Sequence, residues 1–218
     1  NDSAFIGAPD VLRSLVTHPL GDNAATDGLR AAAKLDIEFE LLDVTYRAPL
    51  KCCPRFRAEY FVGIRSGTLD QDFRSAFSTN GSTFVNTAID FDGTGPAFGL
   101  GFERPVGCLG LYIYSHGDVA FLAGKSNARY QQYDSFGLDQ VDTSWESGRV
   151  VTQLEWELGM GWSSRCDRMR VSCGYLINGW FNTVKTEEYI NAVQTNSPDN
   201  LGDTVSFDGM SVRAEFRF

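Results

Sequence analysis

Val205-Ser206-Phe207-Asp208-Gly209-Met210-Ser211-Val212-Arg213-Ala214-Glu215-Phe216-Arg217-Phe218 is the stretch that decides the fold. From Met210 onward the even positions are Met210, Val212, Ala214, Phe216 and Phe218, and the odd ones are Ser211, Arg213, Glu215 and Arg217. A period of two, with one apolar and one charged face, is a β-strand.

The pattern recurs along the chain. Over 170–181 the odd positions Val171, Cys173, Tyr175, Ile177 and Phe181 are apolar. Over 150–162 the apolar set is Val150, Leu154, Trp156, Leu158, Met160 and Trp162. Leu109, Leu111, Ile113, Val119 and Phe121 form a fourth such face, and Phe98, Leu100 and Phe102 a fifth. Phe56, Ala58, Tyr60, Val62 and Ile64 oppose Arg55, Arg57, Glu59, Gly63 and Arg65. Leu35, Ile37, Phe39 and Leu41 oppose Asp36, Glu38 and Glu40, with a bulge expected at Leu41-Leu42 before Val44 and Tyr46 take over.

These are seven amphipathic strands, several longer than the five or six residues usual in a globular sheet. A tilted strand crosses a bilayer in about 9–11 residues. The expected fold is therefore all-β: an antiparallel transmembrane β-barrel over 35–218. A soluble barrel or sandwich alternates in the same way, with its apolar face turned inward, so the connections must help to decide. Residues 48–54, 104–108 and 163–168 read as tight turns, while 125–146 and 185–204 read as long polar loops. Short turns on one rim and long loops on the other is the outer-membrane arrangement. Single-chain bacterial barrels have even strand counts, so at least eight strands are expected, one of them upstream of Asn1. Residues 1–34 are expected to form a loop or plug-like segment. Asp10 would cap a short helix over 11–16, and Thr26 or Asp27 another over 29–34.

Charge follows the same division. The net charge is −9, yet ten of the nineteen basic residues lie in or beside the short turns and the C-terminal end. A basic rim and an acidic rim do not make a nucleic-acid surface, which needs basic residues gathered in one patch. No apolar stretch reaches the length of a transmembrane helix. The strand parity sends Glu38, Glu40, Glu59, Glu103, Glu155, Glu157 and Glu215 into the lumen, opposite Arg47, Arg55, Arg57, Arg65, Arg170, Arg213 and Arg217. Inside a narrow barrel such charges must pair, because a buried charge left without its partner costs several kcal/mol. Inward glycines opposite long side chains point to a tight lumen, and eight strands leave little more than side-chain space. The expectation is a narrow pore or a plugged barrel, with acidic loops favouring cations in any open pore.

Catalytic and metal readings are weak. Ser115, His116 and Asp118 are residue types of a hydrolytic triad, but Ser115 and His116 point to opposite faces of one strand, and triads depend on geometry. Asp90-x-Asp92-Gly93 is a fragment of a calcium loop without its terminal bidentate Glu. No metal or cofactor is expected. Cys52, Cys53, Cys108 and Cys166 fall in the short turns, which makes Cys53 and Cys108 a candidate disulfide and free thiols the alternative.

Three segments carry a family resemblance. Ile89-Asp90-Phe91-Asp92-Gly93-Thr94-Gly95-Pro96 resembles a DF-x-G-x-GP strand of the Legionella-type major outer membrane protein family of pore-forming barrels. Arg149-Val150-Val151-Thr152-Gln153-Leu154-Glu155 is similar to that family's R-V-V-P-x-L-E strand, with Thr152 at the Pro position. Phe207-Asp208-Gly209 through Ala214-Glu215-Phe216-Arg217-Phe218 resembles its closing strand. The resemblance covers 35–218 and implies a bacterial outer-membrane barrel with a pore function. Phe216 and Phe218 then resemble the signal read by the barrel-assembly machinery. The implied surroundings are outer-membrane lipid and lipopolysaccharide, with a homo-oligomer or a larger envelope assembly as further partners.

Overall fold

A computed structural model describes residues 2–5, 12–19, 27–28, 30–53, 56–78, 82–107, 109–164, 168–198 and 201–216. Three short strands come first: β1 (Asp2–Phe5), β2 (Leu12–Arg13) and β3 (Asp27–Gly28). Seven long ones follow: β4 (Arg30–Cys53), β5 (Phe56–Ser78), β6 (Ser82–Val106), β7 (Leu111–Asp134), β8 (Asp139–Ser163), β9 (Met169–Thr183) and β10 (Asp203–Phe216). Among the described residues one helix, α1 (Thr186–Thr195), lies between β9 and β10.

The sheet order is β1-β4-β5-β6-β7-β8-β9-β10, with β2 and β3 forming a separate two-stranded ladder. All neighbouring pairs in the large sheet are antiparallel. The seven long strands curl into a half-barrel, with β10 at one edge and β4, joined at its start by β1, at the other. Side chains bridge the opening, for Phe39 of β4 stands 4.8 Å from Phe207 of β10 and 6.3 Å from Trp180 of β9, ring centre to ring centre.

Register gives the sheet two zones. The row Leu42–Ser66–Thr94–Ala123–Val150 runs across five strands on the outer face. Below it the outward residues are apolar, as with Val62, Leu100, Ile113, Trp156 and Ile177, and all of these are exposed. On β8 this lower stretch runs from 150 to 162, longer than a bilayer crossing requires. Above the row the outward residues become Glu38, Glu40, Asp70, Asp90, Asp92, Lys125, Arg129, Asp142 and Glu146. The inward face changes in the opposite sense. Arg65, Asp118 and Glu157 are buried below, while Val85, Ile89, Ala128 and Tyr130 are buried above. Each long strand thus obeys membrane-barrel polarity in its lower half and soluble-barrel polarity in its upper half, because the outside is lipid in one and water in the other.

This inversion corrects several expectations. There is no bulge at Leu41-Leu42; β4 keeps register with β5 from Arg30 to Pro49. The polarity switch there marks the membrane boundary and not a slip of one residue, so Glu38 and Glu40 lie on the outer wall, opposite Asp70 and Thr68, and not in the lumen. Residues 125–134 and 139–146 continue β7 and β8 instead of forming a long loop, and only 135–138 connect them. Residues 12–13 are strand where a helix over 11–16 was expected, and 30–34 already belong to β4. The three-alanine run Ala31–Ala33 pairs with Phe77, Ala76 and Ser75, so sheet hydrogen bonding overrides alanine's helix propensity.

Candidate functional site: the lumen

The lower half of the half-barrel encloses a polar vestibule of about 540 Å³. Of the charges expected in the lumen, Arg57, Glu59, Arg65, Glu103, Glu155, Glu157, Arg170, Arg213 and Glu215 line it. Arg55 and Arg217 lie outside the described residues, as does Phe218. Arg47, also expected there, lines it too, and Asp43 and Asp118 join them, so among the described residues seven carboxylates face five guanidinium groups.

The roof of the vestibule is a hydrogen-bonded layer centred on Arg65. Its Nε and Nη2 donate to the two carboxylate oxygens of Asp43 at 2.6 and 2.8 Å. Its Nη1 donates to Asp118 at 2.8 Å and also to the Gln153 side-chain oxygen. Gln153 passes the chain on to Asn178 at 3.1 Å, and Asn178 donates to Glu155 at 3.3 Å. Five strands, β4, β5, β7, β8 and β9, are tied across the lumen by these side chains. The Arg65 and Asp118 side chains are 4% and 3% exposed, so the charges are paired where water cannot screen them. Sequence reading passed over Asp43, although the parity that sends Arg47 inward beside Val44 and Tyr46 sends Asp43 inward too. Gln153 and Asn178 carried no charge to attract notice, although their parity was inward.

Lower down, Arg170 donates to Glu103 at 2.5 Å and lies over the Tyr112 ring at 4.6 Å. Glu157 accepts from Tyr114 at 2.6 Å and from the Ser211 hydroxyl. His116 stacks on Phe61 with ring centres 4.7 Å apart and planes at 4°. Phe61 in turn fits because residue 99 is glycine: a Cβ there would stand 1.8 Å from the ring.

Above the Arg65 layer the lumen is filled by two apolar clusters with a few buried polar side chains among them. Leu69, Phe91, Leu122, Val151 and Trp180 form one cluster, and Trp180 is fully buried. A second cluster sits higher, where Val85, Ile89, Ala128 and Tyr130 receive Tyr189, Ile190 and Ala192 of α1. The helix is seated by Gln71, which donates to the Val184 carbonyl at 2.7 Å and accepts from the Thr186 hydroxyl at 3.1 Å. Tyr189 donates to the Ala128 carbonyl at 3.1 Å, and burial pushes its phenol up to about 12. Residues 14–18 pack into the same mouth. Tyr130 donates to the Val16 carbonyl at 2.8 Å, the His18 backbone donates to Gln132 at 2.7 Å, and Gln194 of α1 donates to the Leu15 carbonyl at 2.7 Å.

The other sites expected or weighed resolve as follows. Ser115 shares the outer ladder row of Phe102 and Leu158 and accepts from the Trp156 indole at 3.0 Å, whereas His116 stacks on Phe61 and Asp118 bonds Arg65 on the inner side, so the three do not converge. Asp90 and Asp92 lie on the outer face of an uninterrupted β6 and not in a loop. Among the described residues no group of three or more ligating side chains converges on a metal position. Cys108 lies outside the described residues, and with it the Cys53–Cys108 pair, whereas Cys173 is a free, half-buried thiol.

The family model described as Legionella pneumophila major outer membrane protein precursor matches residues 14–218, nearly the whole chain. No curated protein and no solved structure matches it.

Proposed function

The chain belongs to the Legionella major outer membrane protein family of the bacterial outer membrane, and from that premise we propose that it acts as a closed structural barrel. It anchors a rigid, acidic extracellular wall and serves as one unit of the envelope. The observation that carries this reading is the stacked filling of the lumen. The Arg65 layer, the apolar layer around Trp180 and the α1 cluster follow one another along the axis. An aqueous path would have to displace all three, and the middle one is walled by apolar side chains, with the buried Trp180 indole N–H as a donor left without a partner. The role is non-catalytic, in keeping with a family of outer-membrane proteins. Outer-membrane lipid and lipopolysaccharide surround the barrel, and Phe216 with Phe218 presents the closing strand to the barrel-assembly machinery.

Planar-bilayer conductance under a salt gradient tests the proposal. The purified protein should be silent, and opening all three layers together, by Trp180→Ala, Arg65→Ala and deletion of residues 186–198, should produce discrete steps. Discrete steps from the wild type would overturn it. A second reading, a narrow cation-preferring pore for small solutes, is favoured by one observation. Among the described residues the vestibule is lined by seven carboxylates against five guanidinium groups, and an acidic lining favours cations. In that case the wild-type steps would reverse toward the cation potential.

A further inference from the structure

The lipid-facing wall is not smooth. On the outer face one row of the ladder reads Tyr60–Leu100–Gly117–Trp156, and the row beneath it reads Ala58–Phe102–Ser115–Leu158. Bulky side chains on β6 and β8 therefore flank two small residues on β7. The result is a trough of about 700 Å³ bounded by Leu100, Phe102 and Trp156, with Ser115 and Gly117 as its floor. The Trp156 indole donates to Ser115 at 3.0 Å, so its N–H makes no polar demand on an occupant. Two residues beyond Phe102, on the same outward face, Arg104 is exposed at the lower rim.

The trough lies midway along the apolar zone, and hydrocarbon must fill it. Its flanking strands are two sheet spacings apart, about 10 Å, wide enough for one methylene chain and too narrow for a helix of about 10–12 Å. Two copies meeting face to face through the trough would bring their Arg104 residues to the same height, like charge against like. A phospholipid meets both features, since its chain is apolar and its phosphate seeks a guanidinium at the membrane surface. In this family's membrane the rim bearing the short turns faces the periplasm, so the lipid belongs to the inner leaflet. We infer that the barrel carries a phospholipid site, in which one acyl chain lies over Ser115 and Gly117 and the phosphate pairs with Arg104. Van der Waals contact on three sides holds the chain, because lipid tails gain no hydrophobic free energy on moving from bilayer to groove.

Quenching by brominated lipid tests the site. Trp156 and Trp162 face lipid, while Trp180 is fully buried and Trp145 packs toward the upper core. The full chain carrying Trp162→Phe is reconstituted in phosphatidylcholine vesicles with rising fractions of phosphatidylglycerol brominated on its acyl chains. Quenching should reach half its maximum at a several-fold lower bromolipid fraction than in the Trp156→Phe control, which reports bulk lipid at Trp162. Gly117→Phe should fill the trough and return Trp156 to the bulk curve. It should fold, because a Cβ at residue 117 meets nothing closer than Trp156 at 3.4 Å, and Gly117→Val serves if the larger ring blocks insertion. Arg104→Gln should abolish the preference for brominated phosphatidylglycerol over brominated phosphatidylcholine. A Trp156 curve that matches the control and ignores Gly117→Phe overturns the proposal. So does a Trp156 that no bromolipid reaches, with Gly117→Cys forming disulfide dimers, since a second copy then occupies the trough.

Discussion

Replacing Arg65 by Met should destabilise the barrel by about 3–5 kcal/mol, the usual result of breaking a buried ion pair from one side. The structure says where that loss resides. Arg65 serves two carboxylates, but Asp43 keeps 35% of its side chain exposed and Asp118 only 3%. Water can resolvate Asp43 once the guanidinium has gone, so its share should be about 1 kcal/mol or less. Asp118 has no such recourse and should carry most of the loss. Adding Asp118→Asn to Arg65→Met should therefore recover about 2–3 kcal/mol, while adding Asp43→Asn should recover little. Arg65→Lys should fall between, because one ammonium cannot replace the fork that engages both carboxylates. The assay is urea unfolding of the refolded barrel in phospholipid vesicles, followed by the heat-modifiable gel shift and by Trp180 emission. If Arg65→Met costs less than about 1 kcal/mol, or if the Asp118→Asn double variant is no better than the single, the layer is not the electrostatic tie described.

Other consequences are open to simpler tests. Gly99→Ala should cost about 1–3 kcal/mol by forcing Phe61 off His116, and Phe61→Leu in the same chain should make that substitution nearly free, as a double-mutant cycle would show. Gln71→Leu strips the seat of α1 of its hydrogen bonds and should cost about 1–3 kcal/mol locally, read as faster proteolysis within 184–202 with the barrel intact. The Asp70 carboxyl is held above its usual range by burial and by Asp90, Glu38, Asp72 and Glu40. The folded wall thus resists its ionisation, and stability falls as pH rises through that raised value. Asp70→Asn should stabilise the protein by a few tenths of a kcal/mol at pH 7, and the gain should vanish below about pH 4, as melting midpoints at the two pH values would reveal.

The parts of the fold visible in sequence are those where the outside is lipid. On 150–162 or 171–177 the outward residues must be apolar and the inward ones are free to be Glu, Gln, Gly or Arg, so the alternation is sharp. Above the boundary row the outside is water and the inside a packed core of small and aromatic residues, and contrast fades. Lys125, Asn127, Arg129 and Gln131 alternate with Ser126, Ala128, Tyr130 and Gln132, a readable period once its sense is known to flip. The same flip misplaced Glu38 and Glu40, for a reversal of polarity and a one-residue bulge leave the same trace in a sequence. Most of the vestibule charges were legible from parity alone. Their partners were not, because Arg65 reaches Asp118 across an intervening strand, and sequence spacing says nothing about such a contact. The α1 helix was hidden in a polar loop by its mean composition, since only Thr186, Tyr189, Ile190 and Ala192 are buried.

The projection of the strands above the membrane bears on how the cell surface is recognised. On β8, residues 139–149 rise about 25–30 Å beyond the boundary row at the tilt usual for a barrel. What meets an antibody or a phage tail fibre is consequently a paired sheet whose neighbouring side chains come from different strands, such as Glu38, Asp70 and Asp90 in one row. A binder raised against any single peptide of this region would see every second residue turned away and the remainder held in an unfamiliar spacing. Immune recognition of this wall should be discontinuous and conformation-dependent, and denaturing the protein should erase it.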